Sequence, residues 1–176
     1  MKLLFISLGC DKNLVDSEEM LGMLAADGHE IVDDEDEAEV IIVNTCCFIG
    51  DAKEESVNTI LEMAEKKKAG TCKVLIVTGC MAQRYKKEIS EEIPEVDAIL
   101  GTTSYGDISK AVKEAQAGRH FEEYKSIDFL PDISGKRMLT TGGHFAYLKI
   151  AEGCDNHCAY CVIPSLRGRY RSRQME

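Results

Sequence analysis

The sequence predicts an α/β protein built on a doubly wound, mostly parallel sheet. Three short apolar runs indicate this fold, and each run ends in a cysteine: LFISLGC at 4–10, VIIVNTC at 40–46 and VLIVTGC at 74–80. Runs of this length that are rich in Val and Ile are typical of parallel strands buried on both faces. They recur roughly every 35 residues, which is about the length of one βαβ unit.

Helical patterns follow the apolar runs and complete the βαβ units. The first helix is predicted to open at Asp16, whose spacing to Glu19 matches a capping box, and Asp51 with Glu54 opens the second in the same way. Apolar residues of the second helix recur with helical spacing and predict its buried face: Val57, Ile60, Leu61 and Ala64. Further helices are predicted over 83–92 and 104–118, and short strands over 29–32 and 97–100.

Three parts are expected along the chain. Residues 1–118 are predicted to form the α/β domain, and residues 119–143, which mix charges with Pro131 and a Gly pair, are predicted to be a linker. An apolar run at 145–150 predicts a new strand that opens a second structured part, residues 144–176. One strand and its loop cannot bury a core of their own, so we expect this part to be the truncated start of a further domain.

Composition and charge restrict the classes of function. The formal net charge is -10, and acidic residues are concentrated at 33–39. Because nucleic-acid binding depends on neutralising phosphates, we expect no direct nucleic-acid binding by this segment and a basic partner instead. No apolar stretch is long enough to span a membrane, so we expect a cytoplasmic protein. Eight cysteines in a reducing compartment indicate metal or redox chemistry rather than disulfides.

The densest chemical signal is the spacing C-x3-C-x2-C, formed by Cys154, Cys158 and Cys161. Thiolates at this spacing can bind one small inorganic cluster within a single loop, and in a 4Fe–4S cluster three thiolates leave one iron open to a small molecule. Structural zinc sites normally have four ligands in paired sets, and no second pair follows here. Iron–sulfur binding is therefore favoured, with zinc binding and incidental cysteines as the alternatives.

A second set consists of the cysteines that end the three apolar runs, Cys10, Cys46 and Cys80. Each follows a predicted parallel strand, so all three are expected at the carboxyl edge of the sheet, where α/β folds bind ligands. Helix N-termini at the same edge favour thiolates and an anionic cluster. Cysteine is also a common small core residue, so three incidental buried cysteines are the alternative from the residues alone.

The two cysteine sets resemble a known enzyme family. The C-x3-C-x2-C spacing directly after a strand, with Tyr160 before the last cysteine, resembles the radical S-adenosylmethionine (SAM) superfamily. The segments SLGCDKNLVDSE, VNTCCFIGDAKEES, GCMAQRY and AEGCDNHCAYCVIPSLRGRYRSR resemble its methylthiotransferase family along nearly the whole chain. The resemblance implies SAM as cofactor, with Tyr160 beside its adenine, and two 4Fe–4S clusters. It implies a SAM cluster on Cys154, Cys158 and Cys161 and an auxiliary cluster on Cys10, Cys46 and Cys80.

The family has two well-known branches, one acting on an adenosine of tRNA and the other on the β-carbon of an aspartate in a small-subunit ribosomal protein. The stretch GCDKNLVDS that begins at Gly9 resembles the ribosomal branch, whereas the tRNA branch usually reads GCQMN. The resemblance implies a transferase that needs an electron donor for SAM cleavage and takes a basic ribosomal protein as substrate. The tRNA enzyme and a non-catalytic cluster-binding or docking module are the alternatives, and this chain alone is expected to be inactive.

Several further residues carry open interpretations. Cys47 departs from the family, which usually has Gly there, and is a possible substitute for Cys46; Cys72 precedes a strand and is interpreted as a bystander. Polar side chains near the predicted cluster edge suit either sulfide binding or helix capping: Asn13, Asp16 and Asn44. Arg167 opens an alternating basic tail, interpreted either as facing SAM or substrate or as a solvated loop.

Overall fold

The structure, a computed structural model, describes residues 1–132, 135 and 137–174. Within these residues, six strands form one sheet in which every neighbouring pair is parallel. The strands are β1 (Lys2–Ser7), β2 (Glu30–Val32), β3 (Val40–Thr45), β4 (Val74–Gly79), β5 (Ala98–Leu100) and β6 (Phe121–Glu123). The predicted doubly wound α/β fold is confirmed.

The strand order across the sheet is β2-β1-β3-β4-β5-β6. The chain steps outward from β1 to β2, returns past β1 to form β3, and then continues in the opposite direction. The direction of winding therefore reverses between β1 and β3. α/β folds bind ligands in the crevice at such a reversal, just beyond the carboxyl ends of the strands.

Helices cover both faces of the sheet. They are α1 (Asp11–Ala26), α2 (Gly50–Lys68), α3 (Cys80–Arg84), α4 (Lys86–Glu92) and α5 (Ile108–Gln116), the last preceded by a 3-10 turn at Tyr105–Asp107. One core cluster packs α1 and α5 against one face, for example through Met20 and Val112. The other packs α2, α3 and α4 against the opposite face through Ile60 and Ile89. In the part of the chain that the structure describes, no helix is long and apolar enough to cross a membrane.

Two helices differ from the prediction in their bounds. α1 begins at Asp11, ahead of the capping box predicted at Asp16. That prediction was wrong because Asp16 is buried within α1, where its carboxylate pairs with Lys149 from the far end of the chain. The helix predicted over 83–92 is interrupted because the backbone at Tyr85 leaves the helical conformation (φ -117°, ψ 35°), which separates α3 from α4.

The chain after α5 follows the prediction only in part. Residues 121–123, within the predicted linker, form β6 and pair with β5. The strand predicted over 145–150 is not formed, because among the described residues this segment lies beside α1 with no strand to pair with. Instead a two-residue strand β7 (Ala151–Glu152) pairs with β8 (Arg171–Ser172), and α6 (Ile163–Arg167) lies between them in sequence. Residues 133, 134 and 136 of the predicted linker, and 175 and 176, lie outside the described residues.

Adjacent apolar residues of α2 give a matched test of how this helix packs. Ile60 is fully buried against the sheet, whereas Leu61, predicted on the same face, is 46% exposed. We expect Ile60→Ala to lower the free energy of unfolding by about 2–5 kcal/mol, because it leaves a cavity, and Leu61→Ala by less than about 1 kcal/mol. Urea denaturation followed by circular dichroism measures both losses. Equal losses would contradict this orientation of α2.

Candidate metal centre

The three strand-end cysteines line one cavity at the carboxyl edge of the sheet. Cys10 is the N-cap residue of α1, Cys46 follows β3, and Cys80 is the first residue of α3. The cavity has a volume of about 880 Å³, and its wall also includes Phe48 and Arg167. Cys10 is exposed, while Cys46 and Cys80 are buried. The fold thus brings together the three residues that the sequence predicted as ligands of one cluster.

Two glycines allow the strand ends to approach this closely. Gly9 has φ +96°, and a Cβ there would lie 2.7 Å from Cys46 Cβ and 2.9 Å from Cys46 Sγ. Gly79 has φ +94°, and its Cβ would lie 2.3 Å from Asn44 Oδ1 and 2.5 Å from the Thr45 carbonyl oxygen. A side chain at either position would collide with the neighbouring loop and would also force a backbone conformation that costs energy for any other residue. The shape of the cavity therefore depends on both glycines.

Asn13 joins the loops that carry the cysteines. Its Nδ2 donates to the Leu8 carbonyl oxygen at 2.9 Å and to the Thr45 carbonyl oxygen at 3.0 Å, which links the ends of β1 and β3. Its Oδ1 accepts a hydrogen bond of 2.6 Å from Arg167 and lies 3.9 Å from Cys80 Sγ. Because Asn13 is fully buried, it acts on the site by fixing backbone positions rather than as a helix cap.

At this cavity, burial disfavours the thiolate of Cys80. Burial raises the pKa of the Cys80 thiol to about 11, although the nearby Arg167 guanidinium acts in the opposite direction. Metals bind the thiolate and displace the proton. A cluster bound here would take the Cys80 sulfur as a thiolate, so its binding would release the proton that burial otherwise retains.

The soft donors around the cavity are the thiols of Cys10, Cys46 and Cys80. Within the ranges 1–132 and 137–174, no three His, Cys, Asp or Glu side chains stand close enough to share one metal ion. Soft thiolate ligands are the donors that iron–sulfur clusters use, and a cluster of several irons spans more widely separated sulfurs than a single ion does. The residues present fit an iron–sulfur cluster.

The other two buried cysteines lie away from this cavity. Cys47 packs in the core cluster between the sheet and α2–α4. Cys72 lies in the turn before β4, at the opposite edge of the sheet, where its Sγ is 3.1 Å from the Val74 carbonyl oxygen. The position of Cys72 agrees with its interpretation as a bystander.

The C-x3-C-x2-C cysteines lie on one loop between β7 and α6. Cys158 is exposed, and Cys154 and Cys161 are half-buried. The Cys154 amide donates to the Gly168 carbonyl oxygen at 3.1 Å, which ties the start of the loop to the residue that follows α6. Tyr160, predicted to lie beside an adenine, is 84% exposed. The structure places these cysteines on a loop of their own, outside the cavity of the strand-end cysteines.

Sequence reasoning missed a buried group of charges beside the cavity. Lys149 and Arg167 both pair with Asp16 and with Glu152, and all four residues are at most 5% exposed. Arg167 is therefore neither a solvated tail nor free to face solvent. Asp16 and Arg167 are 151 residues apart in sequence, so no spacing rule links them. The one local signal is the apolar Leu166 beside Arg167, which is also buried.

Comparison with curated proteins identifies relatives along the whole chain. The chain is 61% identical over 176 residues to the ribosomal protein uS12 methylthiotransferase RimO of Lachnoclostridium phytofermentans, covering 100% of this chain and 40% of that protein. It is 52% identical to the protein of the same name from Clostridioides difficile, again over 100% of this chain and 40% of the relative. The protein of that name from Acetivibrio thermocellus is 53% identical over 97% of this chain and 39% of its own length.

These matches confirm the resemblance to methylthiotransferases that the cysteine motifs indicated, and the chain spans about 40% of the length of the relatives. A family profile matches residues 2–101, which include Cys10, Cys46, Cys80 and the first five strands. That match covers more than half of the chain. The protein therefore belongs to the family described as uncharacterized protein family UPF0004.

Proposed function

We propose that the protein is a radical SAM methylthiotransferase that modifies the β-carbon of an aspartate in ribosomal protein uS12. The observation that carries the proposal is the cavity lined by Cys10, Cys46 and Cys80, in a chain that also has a C-x3-C-x2-C loop and is similar throughout to enzymes named for this reaction. The part of the reaction that we assign to this chain is the binding of both clusters, because it spans about 40% of those relatives.

The proposal assigns each part of the chain a role. Residues 1–118 form the domain of the auxiliary cluster, and β6 from the following segment extends the sheet of this domain. Residues 119–143 connect this domain to residues 144–176, which begin the SAM domain. Cys10, Cys46 and Cys80 would hold the auxiliary cluster, Cys154, Cys158 and Cys161 would hold the SAM cluster, and Tyr160 would contact the adenine of SAM. When bound, the two 4Fe–4S clusters and SAM supply the radical and sulfur chemistry.

The residues of the chain contribute position and environment. Phe48 and Ile49 form an apolar rim at the cavity, and they are 48% and 57% exposed. Covering this rim with another surface would bury it and exclude water from the sulfurs. Asn13 and the two strand-end glycines hold the three thiols around one space. Positioning of this kind determines the rate when the reacting groups must meet in one geometry.

Charge supports a basic substrate. The net charge is -10, and the acidic stretch at 33–39 is held in part by ion pairs of Lys66 with Glu35 and Asp36. Complementary charge steers association with a basic protein, and ribosomal proteins are mostly basic. We propose a cytoplasmic location, where ribosomes are available, no direct nucleic-acid binding by this chain, and an external electron donor.

Iron content tests the cluster assignment. After anaerobic reconstitution, we expect Cys10→Ala, Cys46→Ala and Cys80→Ala each to lower iron by about four atoms per chain, because each removes one ligand of a 4Fe–4S cluster. Cys72→Ala is the matched control and should bind as much iron as the wild type. Iron and acid-labile sulfide are measured by colorimetric assay. Unchanged iron in all three variants would contradict the auxiliary cluster.

The substrate is tested in cells. Deleting the gene that encodes the chain should remove a methylthio group from one aspartate of uS12, as measured by mass spectrometry of ribosomal proteins. Complementation with the Cys72→Ala gene should restore the group, and complementation with Cys154→Ala should not, because the SAM cluster loses a ligand. Loss of a methylthio group from tRNA adenosine instead would favour the tRNA branch.

The raised pKa of Cys80 predicts how the metal-free protein responds to pH. Burial shifts this pKa from 9.0 to about 11 in the folded state, so the unfolded chain loses this proton first. Between these pH values the free energy of unfolding should therefore fall as pH rises, by at most about 1.4 kcal/mol per pH unit. Urea unfolding of the wild type and Cys80→Ala across pH 8–11 isolates this contribution. The same slope in both proteins would rule it out.

A further inference from the structure

Arg167 connects the cavity to the buried charges behind it. It is 2% exposed and lines the cavity together with Cys10, Cys46 and Cys80. Nη1 donates to Asp16 Oδ2 at 3.1 Å and to Glu152 at 3.2 and 3.3 Å. Nη2 donates to Asp16 at 3.1 Å and to Asn13 Oδ1 at 2.6 Å. One guanidinium thus contacts α1, the segment before the C-x3-C-x2-C loop, and the wall of the cavity.

The charge clamp, which we define as Asp16, Lys149, Glu152 and Arg167, is a costly way to stabilise a fold. Lys149 pairs with both carboxylates, so two cations and two anions are buried together. Removing charges from water costs several kcal/mol per ion, and apolar residues of similar volume often stabilise as well or better. The clamp therefore calls for an explanation beyond stability, and its position beside the cavity provides one.

The residues of the charge clamp flank both ends of the C-x3-C-x2-C loop. Lys149 and Glu152 precede Cys154, and Arg167 follows Cys161 in the same segment. Their common partner Asp16 belongs to α1, the helix that begins directly after Cys10. Lys12, also on α1, donates to the Ala151 carbonyl oxygen at 3.0 Å and adds a neighbouring tie. The loop and the cavity are therefore fastened to the same helix.

We propose that Arg167 is a positioning residue with two effects. In the register effect, it holds the C-x3-C-x2-C loop at a fixed position relative to the cavity of Cys10, Cys46 and Cys80. In the charge effect, it presents positive charge to the group held in that cavity. The charge effect rests on the proposed auxiliary cluster, whereas the register effect depends only on the contacts of the protein itself. A guanidinium suits both roles because its planar fork binds several acceptors at once and keeps its charge when buried.

The register effect is tested on the metal-free chain by amide hydrogen exchange over residues 149–162. Arg167→Gln should accelerate exchange there by about tenfold or more, because the buried ion pairs that oppose local opening are lost. Arg167→Lys should also accelerate exchange, since an ammonium cannot reproduce the fork. Arg169→Gln is the matched control, because Arg169 is exposed and contacts Asp128 only through its backbone amide. Exchange in Arg167→Gln equal to that in Arg169→Gln would overturn the register effect.

The charge effect is tested by the reduction potential of the strand-end cluster. Replacing Cys154, Cys158 and Cys161 by Ala in every protein leaves this cluster as the only signal in a redox titration followed by electron paramagnetic resonance. Arg167→Gln should shift the potential to more negative values, because a nearby cation favours the added electron. Arg167→Lys should restore a potential near that of the parent, and Arg169→Gln should not change it. An unchanged potential in Arg167→Gln would overturn the charge effect.

A second variant keeps both tests valid if Arg167→Gln alone does not fold. Arg167→Gln leaves two buried carboxylates with one cation, whereas Arg167→Gln combined with Glu152→Gln leaves the neutral pair of Asp16 and Lys149. Circular dichroism checks that the double variant is folded, and the double variant should show faster exchange than the parent. Its potential should lie between those of the parent and Arg167→Gln, because removing the nearby Glu152 carboxylate offsets part of the lost positive charge. If the parent binds no iron at Cys10, Cys46 and Cys80, the auxiliary cluster and the charge effect both fail, and hydrogen exchange still decides the register effect.

Discussion

The in-register parallel pairing of β1, β3 and β4 is the constraint on which the site depends. Ser7 pairs with Asn44, Asn44 pairs with Thr78, and Thr45 pairs with Gly79. Since parallel strands run in the same direction, β1, β3 and β4 all end at one edge of the sheet. Each strand is followed by its cysteine within a few residues. The buried Val and Ile residues that hold this register therefore also bring Cys10, Cys46 and Cys80 together, although they are far apart in sequence.

The reversal of winding explains why these strand ends enclose a cavity. After β1 the chain enters α1 on one face of the sheet, and after β3 it enters α2 on the other. The two helices diverge, so a crevice opens between the loops that precede them. Ile163 and Arg167 form part of the wall of this crevice, and Arg167 is joined to α1 through Asp16. Fold topology creates the space, and long-range ion pairs determine what borders it.

What the sequence could predict follows from which forces are local. Buried parallel strands have a continuous apolar pattern, so the strands and the edge at which the cysteines meet were predictable. The true start of the first helix was not predictable from Asp16, because an acidic residue suits a helix cap and a tertiary ion pair equally well. In the structure, Asp16 pairs with Lys149. The prediction of a strand over 145–150 was wrong for a similar reason. The apolar residues of this segment suit a strand, but a strand also needs a neighbour to pair with. The burial and ion pairs of Arg167 were not predicted, because its partner Asp16 is distant in sequence.

The neighbouring thiols Cys46 and Cys47 are chemically equal, but their side chains have different surroundings. The Cys46 backbone is held by Ser56, whose Oγ accepts from the Cys46 amide at 2.9 Å and donates to its carbonyl oxygen at 2.8 Å. Successive side chains of an extended chain point to opposite sides. With Cys46 held toward the cavity, Cys47 points into the core between the sheet and α2–α4. For Cys47 to replace Cys46, both hydrogen bonds would have to break and a thiol would leave the core. This asymmetry supports Cys46 as the ligand, even where the family usually has glycine at the next position.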